Sequence, residues 1–420
     1  MDLEARIAPD LVPPAEIPHR ADERRVLPAL CLATFVGVLT FVAPAPFFPA
    51  MAADLGVGVP LLGQIVAAML LWSAILGLVA GPLADRHGHR RIIILGLTSA
   101  AVCFLAFGLA PAFPVLLVAA LAGGLGNAAV LGPALAVAGT TFGTRARHAL
   151  GWVTAAMAGS AIVGVPLLSA LGAVAGWRAA LLAAGLGVLG IVWLAGAWLP
   201  RDAPHPGGPS RPGAFLAAYR PLLHHAPTLR LYGVAMLRAV CWFGMLTYFG
   251  AFLAQRLGFG TGQIGLTYML GGGGYFLGSL IAGGPLGHVP PRPLLIGGNL
   301  VMALVMGLAF SAVLGPLGTV AALPLATFAG AFGWVAVIAL LTTGTPAGAG
   351  TTMMLHGSLF NLGAAAGGAI GGLLLALAGY DALAIGLPLF GLGAALLAWW
   401  SGRGVTRGRE YGDRRLHRPG

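Results

Sequence analysis

GPLADRHGHRR, residues 81–91, follows a long run without a single charge. Its last seven positions then bring Asp85, Arg86, Arg90 and Arg91 with two histidines. In a chain rich in apolar residues, charge gathered at one short turn marks where two membrane-crossing helices meet water. The rest of the chain agrees. Of its 420 residues 58% are hydrophobic and only 8% charged, with a mean hydropathy of +0.90. A soluble domain carries about 25% charged residues. The composition therefore predicts an integral membrane protein of many spans.

Net charge is +11, and every basic side chain is arginine, because the sequence contains no lysine. A P-loop needs a lysine on the phosphates, so a P-loop is excluded and nothing in the sequence suggests ATP-driven work. The arginines lie in loops and tails between apolar runs, which argues against a nucleic-acid partner. Cys31, Cys103 and Cys241 each sit inside an apolar run, without metal-ligand spacing, and read as packing residues. Residues 1–26 mix acids with arginines and prolines, the pattern of a polar tail before a retained first span.

A span needs about 20 apolar residues. Twelve are predicted, at 27–49, 61–81, 92–110, 115–140, 149–172, 179–199, 230–254, 263–284, 293–313, 317–341, 354–378 and 383–400. Nearly all arginines fall in the tails, in even-numbered loops or at the helix ends that meet them. Arg178 and Arg256 lie in opposite loops, and Arg238 lies inside span 7. Basic loops stay cytoplasmic, so both tails (1–26 and 401–420) and the 81–91 turn are expected there. The Pro-, Gly- and Arg-rich stretch 200–229 reads as a linker between two halves, 27–199 and 230–400. His224 and His225 in it read as loop histidines rather than metal ligands.

The halves repeat. An offset of 203 brings Pro82 onto Pro285 and Asp85 onto His288. The same offset brings Gly164 onto Gly367, Gly176 onto Gly379 and Trp177 onto Tyr380. One offset linking two separate places describes a duplicated six-span unit. The fold predicted is all-α, with twelve transmembrane helices in two pseudo-symmetric six-helix bundles. Glycines at i, i+4 mark close helix contacts. Stripes at Gly363, Gly367 and Gly371, at Gly274 and Gly278, at Gly77 and Gly81, and at Gly172 and Gly176 are assigned to a sliding interface between the halves, together with Gly164 and Pro166.

The 81–91 turn resembles the signature loop of the major facilitator superfamily, Gly-x-Leu-Ala-Asp-Arg-x-Gly-Arg-Arg. Gly81, Leu83, Ala84, Asp85, Arg86, Gly88 and Arg90 match it, and His89 departs from it. FFPAMAADLGV after span 1 and HGSLFNLGAAAGGAIGG in span 11 look like the bacterial sugar- and drug-efflux branch, similar to arabinose- and purine-efflux permeases. GVPLLSALG keeps Gly164 and Pro166 of that branch's span-5 signature but not its tight pattern. Ala120 stands where the branch often carries a span-4 arginine. The resemblance implies a bacterial inner-membrane transporter working by alternating access as a monomer in lipid. It implies that Asp85, with Arg86 or Arg90, latches the cytoplasmic end across the seam and that Gly88 permits the turn.

Beyond the N-terminal tail the acids are Asp54, Asp85, Asp202, Asp381, Glu410 and Asp413, none deep in a span. A proton is the candidate coupling ion, yet the usual buried carboxylate relay is missing. His148 and His356 begin spans 5 and 11 and read as helix-end residues that could titrate. Embedded charge tends to mark a substrate pathway. Arg238, with Trp242, Met245 and Tyr248 or Phe249 near its face, suits an amphipathic organic anion. Asn127, Asn361 and Trp334 complete the cavity residues. The predicted function is efflux of a drug-like, sugar-like or anionic organic molecule; uptake or exchange of an anion read by Arg238 is the alternative. No His-Glu-x-x-His or Gly-x-Ser-x-Gly is present, so no enzyme, metal or cofactor is expected. A transport-dead sensor is the remaining reading.

Overall fold

Glycine and proline set the ends of the helices in the computed structural model, which describes residues 20–142, 145–200, 214–311, 313–343, 346 and 349–416. Ten helices are long and apolar enough to cross a membrane. Eight have the length of one crossing. The other two, His148–Trp198 and Thr351–Ser401, run for 51 residues each. At 1.5 Å per residue that is about 77 Å, against a hydrocarbon core of about 30 Å. Each must therefore cross twice, which brings the count to twelve. The breaks fall at Gly176 (φ 84°, ψ 160°) and Gly379 (φ 73°, ψ −163°). These are the glycines that the 203-residue offset pairs. Positive φ is open to glycine at little cost, so one residue replaces the loops expected between spans 5 and 6 and between spans 11 and 12.

Span 1 is built in pieces, Arg20–Val42, a 3₁₀ turn Ala45–Phe47 and Phe48–Leu55. Span 2 is Val59–His87, span 3 His89–Leu109 and span 4 Phe113–Thr141. Gly88, at φ 98°, separates spans 2 and 3 within one residue, so the 81–91 segment is mostly helix rather than loop. Span 5 is Ala146–Gly159, a π turn Ser160–Gly164, and the helix from Val165 to the Gly176 break. Span 6 continues to Trp198. In the second half, span 7 is Ala226–Leu257, span 8 Thr261–Gly283, span 9 Pro291–Phe310 and span 10 Gly315–Thr343. Spans 11 and 12 share Ala349–Leu416, broken at Gly379. Of the linker, 201–213 lies outside the described residues, and Ala214–Leu223 is a helix whose Tyr219 and Leu222 are buried. Of the predicted N-terminal tail, 1–19 lies outside the described residues and 20–26 opens the first helix.

The duplication extends to the pins at the face opposite the 81–91 turn. Arg178 donates to Asp54 (Nε 3.0 Å, Nη2 2.9 Å) and to the Ala110 carbonyl (2.6 Å), and stacks on Trp177 at 4.4 Å. In the second half Arg256 lies 5.9 Å from the ring of Tyr380, the repeat partner of Trp177. Tyr380 in turn donates to Gln255 Oε1 at 2.8 Å. The Arg178–Asp54 pair is half-exposed and contributes at most about 1 kcal/mol. It borders an open hollow of about 520 Å³.

Most glycine stripes hold helices together inside a half, which corrects the expected sliding interface. A Cβ on Gly363 would run into the Met236 carbonyl, and one on Gly367 into the Val240 carbonyl, both on span 7. One on Gly371 would lie 2.7 Å from the Tyr248 ring, also on span 7. Gly274 and Gly278 meet span 10 at Pro324 and Phe328, and Gly172 meets Phe47. Gly164 meets Leu39 and Phe35 of span 1. The seam uses a neighbouring register. Gly368 faces Ala67 and Gly63 of span 2, Gly372 faces Gln64 and Pro60, and Gly77 and Gly81 face Ser358 and Met354 of span 11. The repeat-related seam joins spans 5 and 8, where Gly265 meets Ser169 and Pro166. The physical reason is that lipid provides no hydrophobic drive between helices, so the closest backbone approaches serve the permanent contacts within each bundle.

Candidate functional site

Polar groups in the spans collect at two places. The first crosses the seam. Asn127 Nδ2 on span 4 donates to the Gly37 carbonyl of span 1 at 3.2 Å. Ser73 Oγ on span 2 donates to Asn127 Oδ1 at 2.6 Å, and Asn361 Nδ2 on span 11 donates to Ser73 Oγ at 3.2 Å. Two residues chosen from the sequence are thus joined through a serine that was not. Ser73 and Asn127 are buried, and every link leans on the next. Ser73→Ala leaves the Asn127 acceptor and the Asn361 donor unpaired, at about 1–3 kcal/mol. Melting of the purified variant should show that loss, and a double-mutant cycle with Asn361→Ala should show the two changes to be non-additive.

The second place lies inside the second half. Arg238 is 3% exposed. Its Nε donates to Asn299 Oδ1 of span 9 at 3.1 Å and its Nη2 to the Gly330 carbonyl of span 10 at 2.7 Å. Its guanidinium carbon is 5.8 Å from the centre of the Trp334 ring. On that same ring, at 5.4 Å, sits the imidazole of His356, itself 1% exposed. Phe360 packs against both, at 4.9 Å from Trp334 and 6.0 Å from His356. Trp242 presses on Gly330 and lies 5.9 Å from Tyr275. An aromatic path continues from Phe360 to Phe243 (5.6 Å) and to Phe41 of the first half (5.8 Å). There the halves enclose about 20 Å³ between Phe41, Val66, Phe243 and Tyr268.

This cluster is a set of donors. Among the described residues, Arg238 is the one buried side chain with a permanent charge, and no carboxylate pairs with it. Asn299 Nδ2 and His356 Nε2 are buried and make no hydrogen bond. An uncompensated buried cation and unpaired donors are both costly. An anionic oxygen is the chemistry that would answer such a cluster, and Trp334 lies beside both Arg238 and His356.

The remaining sequence candidates lie elsewhere. Tyr248 is fully buried and donates to the Gly368 carbonyl at 2.7 Å, so it packs span 7 on span 11 rather than joining Arg238. Met245 is likewise buried, at Cys241. His148 is exposed and bonded to Trp152 at 3.0 Å. His356 is no helix-end residue but part of the Arg238 cluster. Arg90 donates to the Gly196 carbonyl of span 6, within its own half. Arg86 is exposed, and the Asp85 side chain lies outside the described residues. Asn299 was missed, although an amide within GGNLVMALV carries the same signal that singled out Asn127. Ser73 carried only the faint signal of one hydroxyl in an apolar run.

The comparisons fit this architecture. The chain is 36% identical over 197 residues to the cephamycin export protein CmcT of Amycolatopsis lactamdurans. That match covers 44% of this chain and 40% of the relative, so the aligned part spans about two fifths of the relative's length. The crystal structure of the human organic anion transporter MFSD10 (TETRAN) superposes with a TM-score of 0.63 over 90% of this chain and 99% of that one, at 20% identity, a likeness of fold. The Major Facilitator Superfamily profile matches residues 30–368. With twelve crossings in two repeated bundles, the chain is an integral multi-pass membrane protein and belongs to the Major Facilitator Superfamily.

Proposed function

We propose that this chain exports small, partly aromatic organic anions across the bacterial inner membrane by alternating access. The observation that carries the reading is the buried charge of Arg238, held among unpaired donors with no acid beside it. Asn127 and Asn361, tied through Ser73, join the halves at mid-membrane. The halves 27–199 and 230–400 rock about the linker 200–229, with both tails and the 81–91 turn in the cytoplasm and the monomer as the working unit. Two further facts support it. The Amycolatopsis relative is named for export and the human neighbour for organic anions.

The test is flux in proteoliposomes against a panel of labelled aromatic carboxylates and sulfonates, lipophilic cations, sugars and nucleosides. Saturable movement of the anions alone is expected. Saturable movement of cations or sugars, with anions static, would sink the reading. Loading from the face of the 81–91 turn, set against loading from the other, separates export from uptake.

A further inference from the structure

The driving force can be argued from the titratable groups the spans contain. The sequence has 12 acids and 10 histidines. None of the acids lies deep in a span, and His356 is the one histidine buried among the described residues. A proton relay would therefore have to run through His356. The groups around it work against that. Span 7 contributes the Arg238 cation on the shared Trp334 ring, the Cys241 thiol, and the Tyr232 hydroxyl, which donates to the Thr352 carbonyl at 3.1 Å. Span 8 contributes the Tyr275 phenol beyond Trp242. Span 10 contributes only Trp334, and span 9 the neutral Asn299. The described side chains of span 2 that face span 11, such as Ser73, carry no charge. A proton on His356 would set a second positive charge beside Arg238 with no acid between them. His356 Nε2 is buried with no hydrogen-bond partner, so no protein group stands ready to pass it a proton.

We infer that transport is electrogenic: one anion crosses per cycle with no proton exchanged, drawn outward by the inside-negative membrane potential. The inference rests on the anion reading above. Arg238 stays with its half in both orientations, so the charge moved per cycle is the anion's own. Export of a single negative charge then needs no carboxylate relay, which matches the acids' absence from the spans.

The probe is labelled p-toluenesulfonate, which stays ionised and does not leak as a neutral acid. Proteoliposomes of the full chain receive either an inside-positive potassium diffusion potential or a two-unit pH gradient with the potential clamped at zero. The potential should accumulate the sulfonate about a hundredfold, the ratio that ~120 mV supports for one charge, and the pH gradient should leave it at equilibrium. In His356→Gln the rate should fall while the final ratio at a given potential stays the same, because that ratio depends on charge moved and not on speed. Accumulation by the pH gradient, or a changed ratio in His356→Gln, overturns the inference and leaves the anion reading standing. No sulfonate flux under either gradient takes down the anion reading itself.

Discussion

Arg238→Gln is expected to weaken saturable anion transport by one to two orders of magnitude without weakening the empty protein. The two effects have opposite origins. In the empty site the guanidinium is a buried cation with two neutral partners, Asn299 and the Gly330 carbonyl. Removing an uncompensated buried charge is neutral or stabilising, and a glutamine amide can still donate to one of those acceptors. In the loaded site the anion loses its only permanent counter-charge. A charge-assisted hydrogen bond contributes about 1.5–3 kcal/mol, so affinity should fall by about 10- to 150-fold. Thermal melting reads both at once. An anion at 100 times its wild-type dissociation constant should stabilise the wild type by about 2.7 kcal/mol, and the same concentration should stabilise the variant by only about 0.3–1.4 kcal/mol. Arg238→Lys keeps the charge but not the planar fork, and should fall between the two. If Arg238→Gln melts well below wild type when empty and still binds anions with full affinity, Arg238 is a structural residue and the site lies elsewhere.

The sequence carried the architecture further than the site. Apolar run length and the arginine pattern predicted twelve spans, and a single offset joined Gly176 to Gly379, which the structure shows as the two positive-φ breaks. Those signals survive because span length and turn chemistry are local. The partners of a polar side chain are not. Arg238 stood out as a charge in a span, yet nothing in its neighbourhood named Asn299, 61 residues away, or Gly330, 92 away. His356 looked like a helix end because span 11 was read from 354; the helix starts at Ala349, and only the fold brings His356 onto the Trp334 ring. The glycine stripes mark close contacts, but except for Gly77 and Gly81 they were given the wrong partner. Spacing reports that two backbones approach, not which two. On span 11 the register facing span 7 (Gly363, Gly367, Gly371) and the register facing span 2 (Gly368, Gly372) differ by one residue.

That distinction sets up the second large effect: Gly367→Ala should be among the costliest single methyls added to a helical glycine. A Cβ there would overlap the Val240 carbonyl and come within 2.9 Å of both Val240 Cα and Gly244 N. The reverse holds as well, since a Cβ on Gly244 would lie 2.8 Å from the Gly367 carbonyl. Backbone meets backbone, so no side chain can swing aside and spans 7 and 11 must separate. Overpacking of this kind costs about 1–3 kcal/mol and at times more. Separation also shifts the helix that carries Arg238 against the one that carries His356. Gly164, its repeat partner in the first half, is the internal control. A Cβ there would be 2.7 Å from Leu39 Cδ1 and 2.9 Å from Phe35 Cζ, the movable ends of side chains. A second control is Gly187, where nothing lies within 4 Å and alanine should gain up to about 1 kcal/mol of helix propensity. The expected order of melting temperature is Gly187→Ala at or above wild type, Gly164→Ala slightly below, and Gly367→Ala far below, with much of the last lost from the monodisperse peak on gel filtration. An equal loss at Gly164 and Gly367 would mean that the halves match in packing as well as in topology. A Gly367→Ala protein as stable as Gly187→Ala would mean that spans 7 and 11 do not touch through their backbones, and the site built between them would have to be redrawn.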